Sequence, residues 1–211
     1  KDLEKVLDFA GLLERLETIA GIERIRYLTS HPRDFNDKLV RTIATSGKVC
    51  EHFHLPVQSG SNNILEIMNR GYTREVYLNL IERIKTLIPQ ATVTTDIMVG
   101  FPGEGERDFY DTLELVRQAR FDSSYTFVYN ARQGTPAATM AKQVSQPVKK
   151  ERIQALIKLQ NSLSLERNME EIGRVQEILV EGEHKSSPGL LLGRNRGNKR
   201  VVFPGGKDLS G

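Results

Sequence analysis

Three side chains carry the donors and acceptors that an amino-acid-bearing nucleoside would need. Asp96 stands between Thr95 and Ile97 in an apolar run, where a carboxylate is costly to bury unless something donates to it. The two hydroxyls of a ribose diol would meet its two oxygens. Gln58 offers a donor and an acceptor to the same sugar, and Arg70 can grip a carboxylate at two points. Capping or salt bridging is the other use of Asp96, and a plain surface position that of Arg70. The glycines of GFPGE (100–104) let backbone approach a flat ring closely; a simple strand-to-helix turn is the alternative. A rival set is His52-x-His54 with Asp96. Two histidines at i, i+2 on a strand and an aspartate on its neighbour have the spacing of a hydrolytic zinc site, although packed or hydrogen-bonded histidines share that pattern.

These groups must be held at strand ends. Leu3 to Ile19 recur at helical spacing and predict a helix over 3–20. Strands are expected at 22–30, 48–57, 91–101 and 121–130. Helices are expected at 34–46, 64–68, from a Thr73 cap to Ile88, and at 106–119. Strands alternating with helices mean βαβ units on a parallel sheet, with ligands at the C-terminal strand ends. The exit loops HPRDF, QSGSNN, GFPGEGE and NARQGTPAA are therefore the places to look. Period-2 alternation sets His52, His54, Pro56 and Gln58 on one face, and Thr94, Asp96, Met98 and Gly100 on another. Four strands cannot close a barrel. A long polar helix follows over 145–173, with Ile153, Leu156, Ile157, Leu159, Leu163 and Leu165 inward. From Gly173 turn residues punctuate short β-rich runs, as in a small antiparallel barrel.

Composition narrows the class. The 211 residues are 38% hydrophobic and 27% charged, ordinary for a globular chain. No uncharged apolar run approaches the ~20 residues that cross a bilayer. Cys50 is the single cysteine. That excludes an internal disulfide and any all-cysteine iron–sulfur cluster built from this chain alone, and makes the cytoplasm the default compartment. Residues 184–211 carry six Lys/Arg and one acid, net +5, against −2 for the rest. A basic end on a near-neutral body suggests a polyanion-binding patch. Arg194, Arg196, Lys199 and Arg200 are the candidate RNA contacts, and Phe203 offers an aromatic ring whose expected use is core packing.

HLPVQSGSNNILEIMNRGYTRE (54–75), TTDIMVGFPGE (94–104) and YNARQGTPAA (129–138) together resemble the MiaB-type tRNA methylthiotransferases, radical S-adenosylmethionine (SAM) enzymes. YLTSHPRDF (27–35) fits, and GRVQEILVEG…LLGRNRGNKRVVFPGG is similar to the start of a TRAM domain, a small OB-like barrel that grips tRNA. The resemblance implies the later strands of a partial (β/α)6 barrel over 1–144, a connecting helix over 145–168 and a truncated TRAM domain over 169–211. It implies SAM and [4Fe–4S] clusters as cofactors, tRNA and a reductant protein as partners, no membrane, and addition of a methylthio group to isopentenyl-adenosine beside the anticodon. Gln58 and Asp96 would contact the ribose and Arg70 the SAM carboxylate. Gly100, with Asn130 and Arg132 in the 129–134 loop, would surround the adenine, and Ser59 joins the expected cofactor-binding set. The family's Cys-x3-Cys-x2-Cys loop is missing, so the chain is expected to start after the second barrel strand, to end inside the TRAM domain and to perform no radical chemistry alone. A tRNA-binding module without SAM, and a metal-dependent hydrolase using His52 and His54, are the alternatives.

Overall fold

Local capping, more than hydrophobic period, sets where the elements begin. The structure, a computed structural model, describes residues 7–28, 31–206 and 209. The first helix, α1 (Phe9–Glu17), is shorter than its apolar pattern because Asp8 caps it, accepting from the Gly11 N–H at 2.8 Å; Leu3 and Val6 lie outside the described residues. Asn36, Ser61 and Thr73 likewise cap α2 (Asp37–Thr45), α3 (Asn62–Ile67) and α4 (Arg74–Leu87).

Three parallel strands follow in the order β1 (His52–His54), β2 (Thr92–Val99), β3 (Ser123–Val128), with α3 and α4, then α5 (Glu106–Ala119), as the crossovers. His54 pairs with Thr94, and Asp96 with Tyr125. Of the strand expected at 22–30, Thr29 and Ser30 lie outside the described residues, and the rest shrinks to one bridge, Ile25 to Val49; Arg24 and Arg26 send their side chains to the C-terminal β-unit instead. β1 is also shorter than expected. Pro56 has no N–H to give to a ladder, and the Val57 N–H donates to Thr95 Oγ1 at 3.0 Å. Pairing resumes at Gln58, which bridges Ile97.

One sheet face is packed. Phe53, Leu55, Val57, Val93, Ile97 and Val99 are buried there against the helices. The other face presents His52, His54, Asp96 and Met98, half-buried, and Tyr125 and Phe127, exposed. A short α6 (Pro136–Thr139) interrupts the expected exit loop, and α7 (Gln146–Met169) packs chiefly on β3. The buried positions of α7 are Lys149, Arg152, Leu156, Gln160 and Leu163. Of the expected apolar stripe, Ile157 and Leu165 are exposed. Lys149 Nζ, Arg152 Nη1 and Gln160 Nε2 each donate to a partner, so charge and amide are tolerated inside where the apolar pattern alone pointed elsewhere.

The C-terminal unit is an antiparallel sheet, β4 (Ile178–Glu183), β5 (Leu190–Asn195), β6 (Arg200–Pro204). Phe203 pairs with the buried Leu191, in keeping with packing. Among the described residues no helix is long and apolar enough to cross a membrane.

Candidate functional site

Gln58 and Asp96 meet at the C-terminal end of the sheet. The Gln58 N–H donates to the Asp96 carbonyl and the Met98 N–H to the Gln58 carbonyl, both at 2.9 Å. Gln58 adopts φ 71°, a left-handed conformation that costs a non-glycine residue about 1 kcal/mol or more and persists only where the surroundings over-determine it. Arg70 is fixed beside them. Its Nη2 donates to the Pro56 carbonyl at 2.9 Å and its Nε to the Tyr72 hydroxyl at 3.1 Å. These bonds spend two donors of the fork, leaving Nη1 to lead any grip on a ligand carboxylate. The structure thus gathers Gln58, Arg70 and Asp96 at one rim.

The loop after β2 is clamped from behind. Gly100 has φ +74°, and a Cβ there would stand 2.4 Å from Lys149 Cγ, so only glycine fits. The Gly100 N–H donates to Glu104 Oε1 at 2.8 Å, and the same oxygen takes Arg152 Nη1 at 2.7 Å. Both side chains of this pair are nearly fully buried. Burial pushes the Glu104 carboxyl up from its ordinary value, while Gly100 and Arg152 pull it back. Lys149 Nζ donates to the Tyr129 carbonyl at 3.0 Å and lies over the Tyr129 ring. Ile64, Phe101 and Tyr129 form a small apolar cluster at these strand ends, with Met98 packed against it. That is the wall a purine needs.

Other expected contacts stand apart. Ser59 is buried and turned to α5, 3.3 Å from Thr112 Oγ1. Asn130 and Arg132 are exposed in the loop after β3. His52 and His54 do not converge on an open point: each places a ring nitrogen 3.0 Å from Thr94 Oγ1, and His54 Nε2 lies 3.4 Å from Asp96 Oδ1. Among the described residues no group of three or more His, Cys, Asp or Glu is placed to hold a metal ion.

The basic segment goes to the opposite end of the sheet. Arg196 forks onto Glu51, with Nε 2.8 Å from Oε2 and Nη2 2.9 Å from Oε1, and also donates to the Gly47 and Val49 carbonyls. Lys199 Nζ lies 2.9 Å from Asp122 Oδ1, and Arg194 Nε 3.0 Å from Glu181. A Cβ on Gly197 would meet Thr92 Oγ1 at 2.1 Å. Glu51, Thr92 and Asp122 precede or begin the three strands, so the β5–β6 turn caps the N-terminal ends. Three of the four expected RNA contacts are committed inside the molecule, and Arg200 is exposed. Between the sheet, α7 and the β-unit lies a cleft of about 1000 Å³, reached by His52, His54, Tyr125 and Arg200.

The donor set at the rim fits an adenosyl amino acid: amide, carboxylate, guanidinium, a bare glycine and an apolar wall. An iron–sulfur cluster does not fit. Cys50 is the only thiol in the sequence, it is 1% exposed, and burial pushes its pKa up.

Lys149 and Arg152 escaped the sequence reading, and Thr94 and Glu104 entered it only as members of a strand face and of the GFPGE run. The i, i+3 spacing of Lys149 and Arg152 ahead of Leu156 and Leu163 was the available signal, since it puts both cations on the helix's packed face.

Comparison with known proteins agrees with this geometry. The family model of the radical SAM superfamily matches residues 4–116, and that of the TRAM domain matches 170–210. Over all 211 residues the chain is 69% identical to the tRNA-2-methylthio-N(6)-dimethylallyladenosine synthase of Pelotomaculum thermopropionicum and 58% to that of Desulforamulus reducens. It spans 47% and 46% of those proteins, under half their length. Among solved structures, coproporphyrinogen III oxidase from Escherichia coli, a radical SAM enzyme, superposes with a TM-score of 0.54 over 66% of this chain and 32% of its own, at 19% identity. Methanocaldococcus infernus Elp3 gives 0.51 over 86% and 57%, at 13% identity. These two likenesses establish the fold alone. With a parallel α/β sheet and a family model that matches more than half its residues, the chain belongs to the radical SAM superfamily.

Proposed function

We propose that this chain supplies the SAM-binding side of a tRNA methylthiotransferase, the protein that adds a methylthio group to isopentenyl-adenosine beside the anticodon. The reading rests on one observation: Gln58 and Asp96 are locked side by side at the strand ends, with Arg70 fixed next to them. The 69% identity with a relative named for this reaction supports it. SAM, when bound, would supply the 5′-deoxyadenosyl group for radical chemistry. The residues here hold its ribose (Gln58, Asp96), its carboxylate (Arg70) and its adenine (Gly100, the Phe101–Tyr129 wall, and the loop carrying Asn130 and Arg132), and they exclude water from the packed side. The cluster's thiolates come from outside these 211 residues, because Cys50 is no ligand.

tRNA is the partner this reading requires. Arg200 is the residue we assign to phosphate. Arg196 and Lys199 serve by fixing the β-unit on the sheet, and Arg194 by pairing with Glu181 inside that unit.

Two assays test the reading. The chain alone, reconstituted with iron and sulfide, should release no 5′-deoxyadenosine above background; enzymatic yields would refute that. In the protein that joins this chain to a cysteine triad, Asp96→Asn should cut 5′-deoxyadenosine formation at least about ten-fold, a loss in the range of one charge-assisted hydrogen bond. An unchanged yield would overturn the assignment.

A further inference from the structure

The open face of the sheet carries a run of polar contacts that the cofactor reading does not use. Thr94 Oγ1 lies 3.0 Å from His52 Nε2 and 3.0 Å from His54 Nδ1. The other nitrogen of His54, Nε2, lies 3.4 Å from Asp96 Oδ1. Tyr125, the register partner of Asp96, meets the His54 ring edge-on at 6.0 Å and holds its plane.

Proton counting gives this run a direction. A carboxylate only accepts, so His54 Nε2 must carry a hydrogen to face it. With its ring hydrogen on Nε2, His54 has a bare Nδ1, which can only accept, and the single Thr94 hydroxyl proton goes to it. The Thr94 oxygen is left to accept from His52, whose Nε2 must therefore be protonated. His52 is kept neutral by burial, its pKa pushed down to about 4. The order is His52 Nε2–H to Thr94 O–H to His54 Nδ1, then His54 Nε2–H toward Asp96. The carboxylate fixes every tautomer upstream of it.

We propose that His54 and Thr94 are positioning residues that hold Asp96 at Oδ1 and so turn Oδ2 toward a cofactor ribose. This rests on the reading of Asp96 as a ribose contact, and it changes that contact. The sequence suggested a diol meeting both oxygens. On this proposal Oδ2 leads the contact with the sugar, and Gln58 is the partner for the second hydroxyl.

The experiment uses the 211-residue chain with its histidines labelled with ¹⁵N. Two-bond ¹H–¹⁵N spectra at neutral pH should show both His52 and His54 as Nε2–H tautomers. Thr94→Val, which keeps the shape and removes the hydroxyl, should release the His54 tautomer and weaken SAM binding about five-fold, the worth of one net hydrogen bond. Thr94→Ser should restore the tautomer and bring SAM affinity to within about two-fold of wild type. A purely structural threonine would move the unfolding midpoint without moving the tautomer. His54 found as Nδ1–H or as an averaged mixture in the wild type overturns the proposal, as does Thr94→Val binding SAM like the wild type. If the tautomers are as stated but the wild type takes up no SAM, the ribose reading falls and the positioning role with it, while the hydrogen-bond order stands.

Discussion

Arg196 reaches across the molecule to hold Glu51 by both carboxylate oxygens, at 2.8 and 2.9 Å. The pair joins the turn of the C-terminal sheet to the residue just before β1. Arg24 and Arg26 reinforce it by donating to the Arg194 and Asn195 carbonyls at 3.1 and 2.8 Å. Arg196, with Lys199 on Asp122, thus fastens the β-unit to the sheet.

Breaking that fastener should be costly. Arg196→Ala leaves a half-buried Glu51 unpaired and is expected to lower stability by about 2–3 kcal/mol, read as a shift of the urea midpoint. Arg196→Lys should not restore it, because an ammonium cannot make the two-point contact. Equal stability of wild type and Arg196→Ala would mean that the two units are not held this way.

The same geometry separates fastening from RNA contact. Arg200→Ala should reduce the slope of log affinity for tRNA against log salt by about 0.7–0.9, one phosphate contact. Arg196→Ala should act through stability, with its loss of affinity removed at temperatures where both proteins are folded. A one-unit fall in slope for Arg196→Ala in a folded protein would return that residue to the phosphate.

Arg152 and Glu104 form a second, deeper pair. Arg152→Ala strands a buried carboxylate and is expected to cost about 3–5 kcal/mol. Replacing both partners by leucine should cost less than either single change, because no unpaired charge remains. A double-mutant cycle with strictly additive losses would show that the two side chains do not act as a pair.

His52 gives stability a pH dependence. Its folded pKa, about 4, lies below the ordinary 6.5, so the folded state disfavours the protonated ring. Stability is full above pH 6.5, declines as pH falls from 6.5 to 4 and levels off below that. The contribution is at most about 3 kcal/mol. Urea midpoints at pH 7.5, 5.5 and 4.5 for wild type and His52→Gln measure it, and parallel pH curves would show that His52 contributes nothing.

The sequence made the helix–strand alternation legible because apolar period and caps agree at α4, β2 and α5. Over the described residues it overstated α1, because Asp8 caps the helix and leaves Leu7 outside it. It misread the packed face of α7, since Lys149, Arg152 and Gln160 are buried by pairing across long sequence separations, which no local period encodes. That Gln58, Arg70 and Asp96 come to one end of the sheet was readable from their places in strand and exit loop. The fate of Arg194, Arg196 and Lys199 was not, because Glu51, Glu181 and Asp122 are ordinary acids until the fold brings them near.

The central claim is that the C-terminal rim of this sheet binds SAM through Asp96. Calorimetric titration of SAM into the wild-type chain and into Asp96→Asn tests it most directly. The account predicts saturable one-to-one binding in the wild type, weakened at least about ten-fold by the substitution. Equal affinity in the two proteins, or no uptake by the wild type, would contradict it.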